Sequence, residues 1–131
     1  MCALSNCPRA ITLRVVDAPD LEMLPEDLAL LRRLVIKDCP QFRTLTELGG
    51  VTDVIVYRCV SFDLTRDHEG VGFACFLDCP SLTSVSGVKN AYTLDIQGCH
   101  GITKVSPLCR PGMLSVVDCD NVGEIGGSSW T

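Results

Sequence analysis

Leu31-Arg32-Arg33-Leu34-Val35-Ile36-Lys37-Asp38-Cys39 decides the fold, because copies of this stretch recur at one fixed interval down the chain. Cysteines stand at 39, 59, 79, 99 and 119, each twenty residues after the last. Three places before each cysteine is an apolar residue: Ile36, Val56, Phe76, Ile96 and Val116. Five places before stands a second apolar column of Leu34, Val54, Ala74, Leu94 and Leu114. The pattern continues behind the cysteine, with Phe42, Phe62, Leu82, Ile102 and Val122 at plus three and Leu45, Val85, Val105 and Ile125 at plus six. Apolar residues two apart are the mark of a short strand with one buried face, and their return in register makes each twenty-residue unit one rung of a stack.

A period of this length carrying L-x-x-L-x-L-x-x-N/C-x-L resembles the leucine-rich repeat family over essentially the whole chain. The nearest likeness is to short, cysteine-containing repeats of about twenty residues: Cys99-His100-Gly101-Ile102-Thr103-Lys104-Val105-Ser106-Pro107-Leu108 reads like their C-x-x-I-T-x-V-S-P-L form. The resemblance implies a leucine-rich repeat solenoid with a parallel β-sheet on its concave face. Twenty residues leave little room for a helix after strand and turn. The convex side is therefore expected to be mostly extended segments and turns, with short 3₁₀ pieces at most.

The chain of 131 residues is one domain by size, and 47% apolar content sets it apart from disordered sequences. No apolar run approaches the eighteen residues of a membrane span, and Met1-Cys2-Ala3-Leu4-Ser5-Asn6-Cys7-Pro8 lacks the charged start and apolar core of a signal peptide. These features predict a cytoplasmic protein with no membrane contact. The net charge of −5 has no basic half: residues 1–70 carry eight basic and eleven acidic groups, and residues 71–131 carry three and five. Nucleic-acid binding by phosphate neutralisation is thus not expected. Nine cysteines would suggest disulfides in a secreted chain, but nine is odd and five of them share the repeat's inward position. Side chains in such a column point the same way rather than at each other. They are expected to be buried, reduced thiols acting as small hydrophobes. By resemblance to repeats with Asn at this place, the thiols would also bond backbone of the next rung.

Within the single domain, residues 1–10 read as a degenerate first rung or cap, with repeats at about 10–30, 31–50, 51–70, 71–90, 91–110 and 111–131. The tail of the first repeat, Pro25-Glu26-Asp27-Leu28-Ala29-Leu30-Leu31, is one residue longer than the others. With Pro at a helix-start position it is the best place for a helical turn. Pro19, Pro40 and Pro80 follow the cysteine position, where no ladder N–H is needed. The third repeat is irregular. Ser61 to Gly70, with Asp63, Arg66, Asp67, His68 and Glu69, is the most charged loop and reads either as a looped-out turn or as a contact site. The ending Gly126-Gly127-Ser128-Ser129-Trp130-Thr131 offers no convincing cap, which favours reading the chain as a fragment of a longer array.

Strand alternation sends the residues between the inward columns to the opposite face. Down the stack these are Thr12, Arg33, Asp53, Phe73, Thr93 and Met113 at minus six; Arg14, Val35, Ile55, Cys75, Asp95 and Ser115 at minus four; and Val16, Lys37, Tyr57, Leu77, Gln97 and Val117 at minus two. The middle rungs thus display Val35, Ile55, Tyr57, Phe73 and Leu77 beside Arg33, Lys37 and Arg58. Solenoid folding does not require large apolar groups there. The cluster has the make-up of a protein-binding surface, although strands favour such residues on either face. The minus-one ladder of Asp17, Asp38, Arg58, Asp78, Gly98 and Asp118 reads as structural, with Arg58 relieving repulsion between aspartates.

Little supports catalysis or a cofactor. No C-x-x-C, phosphate loop or dinucleotide fingerprint is present, and His68 and His100 fall in turns away from Cys75, the outward-facing thiol. The expected function is that of a scaffold whose sheet binds a protein partner. Apolar anchors would come from Val35, Ile55, Tyr57, Phe73 and Leu77, and Arg33, Lys37 and Arg58 would select an acidic rim. The alternative is a structural segment that self-associates through the solenoid ends. An enzyme is a distant third.

Overall fold

The computed structural model describes residues 11–24, 30–45, 50–64, 68, 70–88, 90–105, 112–119 and 124–125. The segment read as a first rung or cap, residues 25–29 of the helix-prone tail and the glycine-serine ending lie outside them.

Six five-residue strands form one parallel sheet: β1 (Thr12–Val16), β2 (Arg33–Lys37), β3 (Asp53–Tyr57), β4 (Phe73–Leu77), β5 (Thr93–Gln97) and β7 (Met113–Val117). Two short strands, β6 (Lys104–Val105) and β8 (Glu124–Ile125), pair separately. Each large-sheet strand pairs with the one a repeat away, so the chain is a stacked solenoid of rungs. From β2 onward the register advances by twenty, Arg33 to Asp53 to Phe73 to Thr93 to Met113. The step from Thr12 to Arg33 takes one residue more, as the longer first tail requires. The return paths between strands hold turns and one 3₁₀ turn at Ser86–Val88, with no α-helix among the described residues.

Burial follows the inward columns. Leu34, Ile36, Cys39, Phe42 and Leu45 are fully buried, and so are their counterparts Val54, Val56, Cys59 and Phe62. In the fourth rung Ala74 is the smallest of its column and Phe76 the largest of its own. The exchange keeps the rung's volume nearly constant while moving the bulk two residues along. The Phe76 ring uses that room to stack on Phe62 at 5.8 Å, and Phe62 stacks on Phe42 at 5.6 Å with the planes 6° apart.

What turns each rung inward is the residue after the strand. Asp17, Asp38, Arg58, Asp78 and Asp118 all have φ between 53° and 56°, and Gly98 has φ 65°. This left-handed region is costly for most L residues and least so for Asp, Asn and Gly, which explains a column of four aspartates and a glycine. The flipped residue keeps the ladder going: Asp17, Asp38, Arg58, Asp78 and Gly98 donate their N–H to Lys37, Tyr57, Leu77, Gln97 and Val117 of the next rung. The cysteine then lands in the core and a β-turn follows, with the N–H groups of Phe42, Phe62, Leu82 and Ile102 bonded to the carbonyls of Cys39, Cys59, Cys79 and Cys99. Pro40 and Pro80 sit at the second place of that turn, where proline's fixed φ fits.

The described cysteines, Cys39, Cys59, Cys75, Cys79, Cys99 and Cys119, are free thiols. Cys59 Sγ lies 3.4 Å from Tyr57 O in its own rung and 3.9 Å from Ile36 O in the rung before. Cys79, Cys99 and Cys119 repeat this on Val56, Phe76 and Ile96. The partner is the preceding rung, not the following one that the resemblance implied. Carbonyls alternate along a strand: Tyr57 O faces back to Asp38, so Ile36 O faces forward, and the next rung's thiol meets it.

The charged third-repeat loop also departs from expectation. His68, which falls where Leu48 sits in the second repeat but within the segment read as a looped-out turn or a contact site, is only 5% exposed. Its N–H donates to Gly87 O at 2.6 Å, and it fills the inward place that Val88 holds one rung later. Asp63 is equally structural, accepting from Leu64 N and from Thr83 N and Oγ1 of the next rung. Thr65, Arg66, Asp67 and Glu69 lie outside the described residues.

Candidate functional site

The outward residues of β1 to β4 form the candidate site. Along β2 the burial alternates: Arg33 exposed, Leu34 buried, Val35 half-buried, Ile36 buried, Lys37 half-buried. Parallel pairing carries each outward place straight across the sheet, so Arg14, Val35, Ile55, Cys75 and Asp95 form one row. Lys37, Tyr57, Leu77 and Gln97 form the next.

A depression of about 370 Å³ lies over the first three strands, lined by Thr12, Arg14, Arg33, Val35, Lys37, Ile55 and Tyr57. Five of the residues singled out in the sequence therefore share one hollow: Arg33, Val35, Lys37, Ile55 and Tyr57. Val35 and Ile55 are its aliphatic lining, and Arg14, Arg33 and Lys37 bring three cations to it. Lys37 Nζ stands 5.0 Å from the centroid of the Tyr57 ring, a cation–π contact that holds the ammonium over the aromatic.

The other three predicted residues take different places. Phe73 and Leu77 belong to β4, one strand beyond the hollow, where Phe73 is 37% exposed and Leu77 half-buried. Arg58 is engaged within the protein. Its guanidinium grips the Asp38 carboxylate with two hydrogen bonds of 2.7 and 2.9 Å, which hold the Asp38 carboxyl below the ordinary carboxylate range. Arg14 and Thr12 were passed over, although Arg14 is the register neighbour of Val35. Both belong to the first strand, whereas the residues singled out in the sequence come from the middle rungs.

Beside the hollow, Cys75 Sγ lies 4.0 Å from both Tyr57 Oη and Asp95 Oδ2. Burial, then the Asp95 charge, pushes the Cys75 thiol up, and burial, then Cys75, pushes the Tyr57 phenol up. A thiol held protonated in this way is a poor nucleophile near neutral pH. Among the described residues no group of three His, Cys, Asp or Glu side chains is placed to hold a metal ion. The geometry fits recognition: aliphatic side chains, an aromatic ring with Lys37 over it, and two arginines line one hollow.

Compared with family models, with curated proteins and with solved structures, the chain matches none.

Proposed function

We propose that the chain is a leucine-rich repeat protein that acts as a binding scaffold, holding a protein partner on the outward, concave face of its sheet. One observation carries this reading: Val35, Ile55, Tyr57, Phe73 and Leu77 stand on three consecutive strands outside the core, and the first three line a hollow with Arg14, Arg33 and Lys37. Aromatic and aliphatic anchors with arginine at their border are the usual energetic centre of a protein interface. The work is binding rather than catalysis, and the acidic balance of the chain disfavours nucleic acid. The column of free thiols supports a reducing, cytoplasmic setting.

The test is affinity capture from native lysate with the wild type and a Tyr57→Ala/Phe73→Ala variant side by side, both shown to be folded by circular dichroism. A protein held by the wild type and lost with the variant is expected. Equal capture by both overturns the reading.

A second reading, assembly of copies through the end of the stack, is favoured by one observation. Leu114, Val116 and Cys119 of the β7 rung are only partly buried, whereas Leu94, Ile96 and Cys99 one rung earlier are fully so. Among the described residues no strand pairs with the far side of β7, and an unpaired edge strand is a template for another copy. This reading predicts a sedimentation coefficient that rises with protein concentration, and a constant monomer value removes it.

A further inference from the structure

The hollow over β1 to β3 combines features that define what would fill it. The chain is acidic overall, yet three cations line this hollow. The two ion pairs among the described residues, Arg43 with Glu22 and Arg58 with Asp38, use none of them. Asp53, the register partner of Arg33, makes no ion pair with it, and the Asp38 carboxylate is already taken by Arg58. Arg14, Arg33 and Lys37 thus have no acidic partner among the described residues, and Lys37 rests over the Tyr57 ring.

Spacing then narrows the ligand. Arg33, Val35 and Lys37 alternate along one strand, so the two cations rise about 13 Å apart at their Cα atoms, with an aliphatic side chain between them. A single small anion can meet one cation but not both while covering Val35. On a helix the two carboxylates would have to stand seven residues apart, about 10.5 Å along the axis, with the residue between them turned roughly 40 to 60° off their line. An extended peptide repeats the strand's own period: carboxylates at its first and fifth residues fall about 13 Å apart, with the third side chain midway on the same side. On that basis we propose that the hollow takes an extended acidic segment of the partner, of the pattern acid-x-aliphatic-x-acid. It would lie along β2, with its carboxylates on Arg33 and Lys37 and its aliphatic side chain on Val35 and Ile55. Arg14 borders the same floor and adds to the attraction. The proposal rests on the reading of this face as a protein-binding surface and names the chemistry of what it binds.

The test uses the full chain and a labelled, end-blocked peptide with Glu at the first and fifth places and Leu at the third, followed by fluorescence anisotropy at low and high salt. Binding that weakens with salt is expected. It should fall by at least about tenfold, roughly 1.4 kcal/mol, in an Arg33→Gln/Lys37→Gln variant of unchanged circular dichroism. The same loss is expected for a peptide with Lys in place of both Glu residues and for one of the same composition with the two Glu residues adjacent. No binding of the first peptide, equal binding of the adjacent-Glu peptide, or equal binding by the variant each overturns the proposal. If the peptide fails while capture still depends on Tyr57 and Phe73, the acidic segment alone is wrong. If capture is also indifferent to that pair, the binding-surface reading fails with it.

Discussion

The two faces of β2 to β5 are made from alternate residues of the same strands, yet they obey different rules. Inward, Leu34, Val54, Ala74 and Leu94 and then Ile36, Val56, Phe76 and Ile96 are all fully shut away from solvent. Only apolar residues occur there, and a small one is matched by a large one two places along. Outward, the same four strands carry Arg33, Asp53, Phe73 and Thr93 in one row and Val35, Ile55, Cys75 and Asp95 in the next. No common chemistry runs across those rows. The inner face is fixed by the stack itself, because every rung must cover its neighbours' apolar surface. The outer face has no such duty, so a concentration of aromatic, aliphatic and basic groups over β1 to β4 calls for a different explanation.

The largest way to break the comparison is to place a charge on the inner face. Ile96→Asp buries a carboxylate with no partner between rungs whose neighbours are wholly apolar, and should cost more than about 4 kcal/mol, enough to unfold the domain. Loss of β-sheet circular dichroism at room temperature checks it. A folded variant would mean that Ile96 does not face the core. Phe62→Ala comes next. The ring is fully buried and stacks on both Phe42 and Phe76, so removing it opens a cavity across three rungs. A loss of about 3 to 5 kcal/mol is expected by urea titration.

The thiol column offers a pH-dependent probe of the same face. Burial, the main influence, pushes the Cys59 thiol up to about 11 from an ordinary 9.0. The unfolded chain therefore loses its proton first, and the folded state is stabilised by keeping it. This contribution is whole below pH 9.0 and is lost as the pH climbs to about 11. The difference corresponds to roughly 2 to 3 kcal/mol for a fully buried thiol. Urea midpoints should fall across that window, and the fall should be shallower in Cys59→Ala. An equal slope in both proteins would show that the thiol does not sense the core.

The contrast between the faces also explains what could be read from the sequence. The inner columns were legible because burial admits few residue types, and a strict period of twenty leaves one register. The extra residue before Leu34 gave even the longer first step. The minus-one column was visible as charge but not as backbone. Four aspartates, a glycine and an arginine read as an electrostatic ladder, whereas their shared property is a left-handed φ. His68 misled for the opposite reason: a polar residue at an inward place looks like a loop when the neighbouring residues are charged. On the outer face, five of eight chosen residues share the hollow. Arg58 pairs with Asp38, as its place between two aspartates of the minus-one ladder suggests. Arg14 stands beside Val35 in the minus-four column but on the first strand, outside the middle rungs from which the site residues were drawn.

The flipped column can be tested by one methyl group. At Gly98 a Cβ would meet the Asp78 carboxylate of the preceding rung, on a backbone at φ 65°. Gly98→Ala should cost about 1 to 3 kcal/mol in urea titration, more than the same change at an open turn. An unchanged midpoint would mean that the left-handed turn is not what holds that rung in register.

The smallest expected effect sharpens the comparison most. Phe73 is 37% exposed and lies in a row whose other members include Thr12 and Thr93. Phe73→Thr therefore gives the fourth rung a residue already used at that place in the first and fifth, with good strand propensity. If the outer face carries no folding duty, the change in stability should stay within about 1 kcal/mol, the whole span of strand propensities, while partner capture falls. A loss approaching that of Phe62→Ala would place Phe73 among the residues that hold the stack together. The apolar groups of the outer face would then be part of the fold, and the case for a binding surface would rest on Arg14, Arg33, Lys37 and Tyr57 alone.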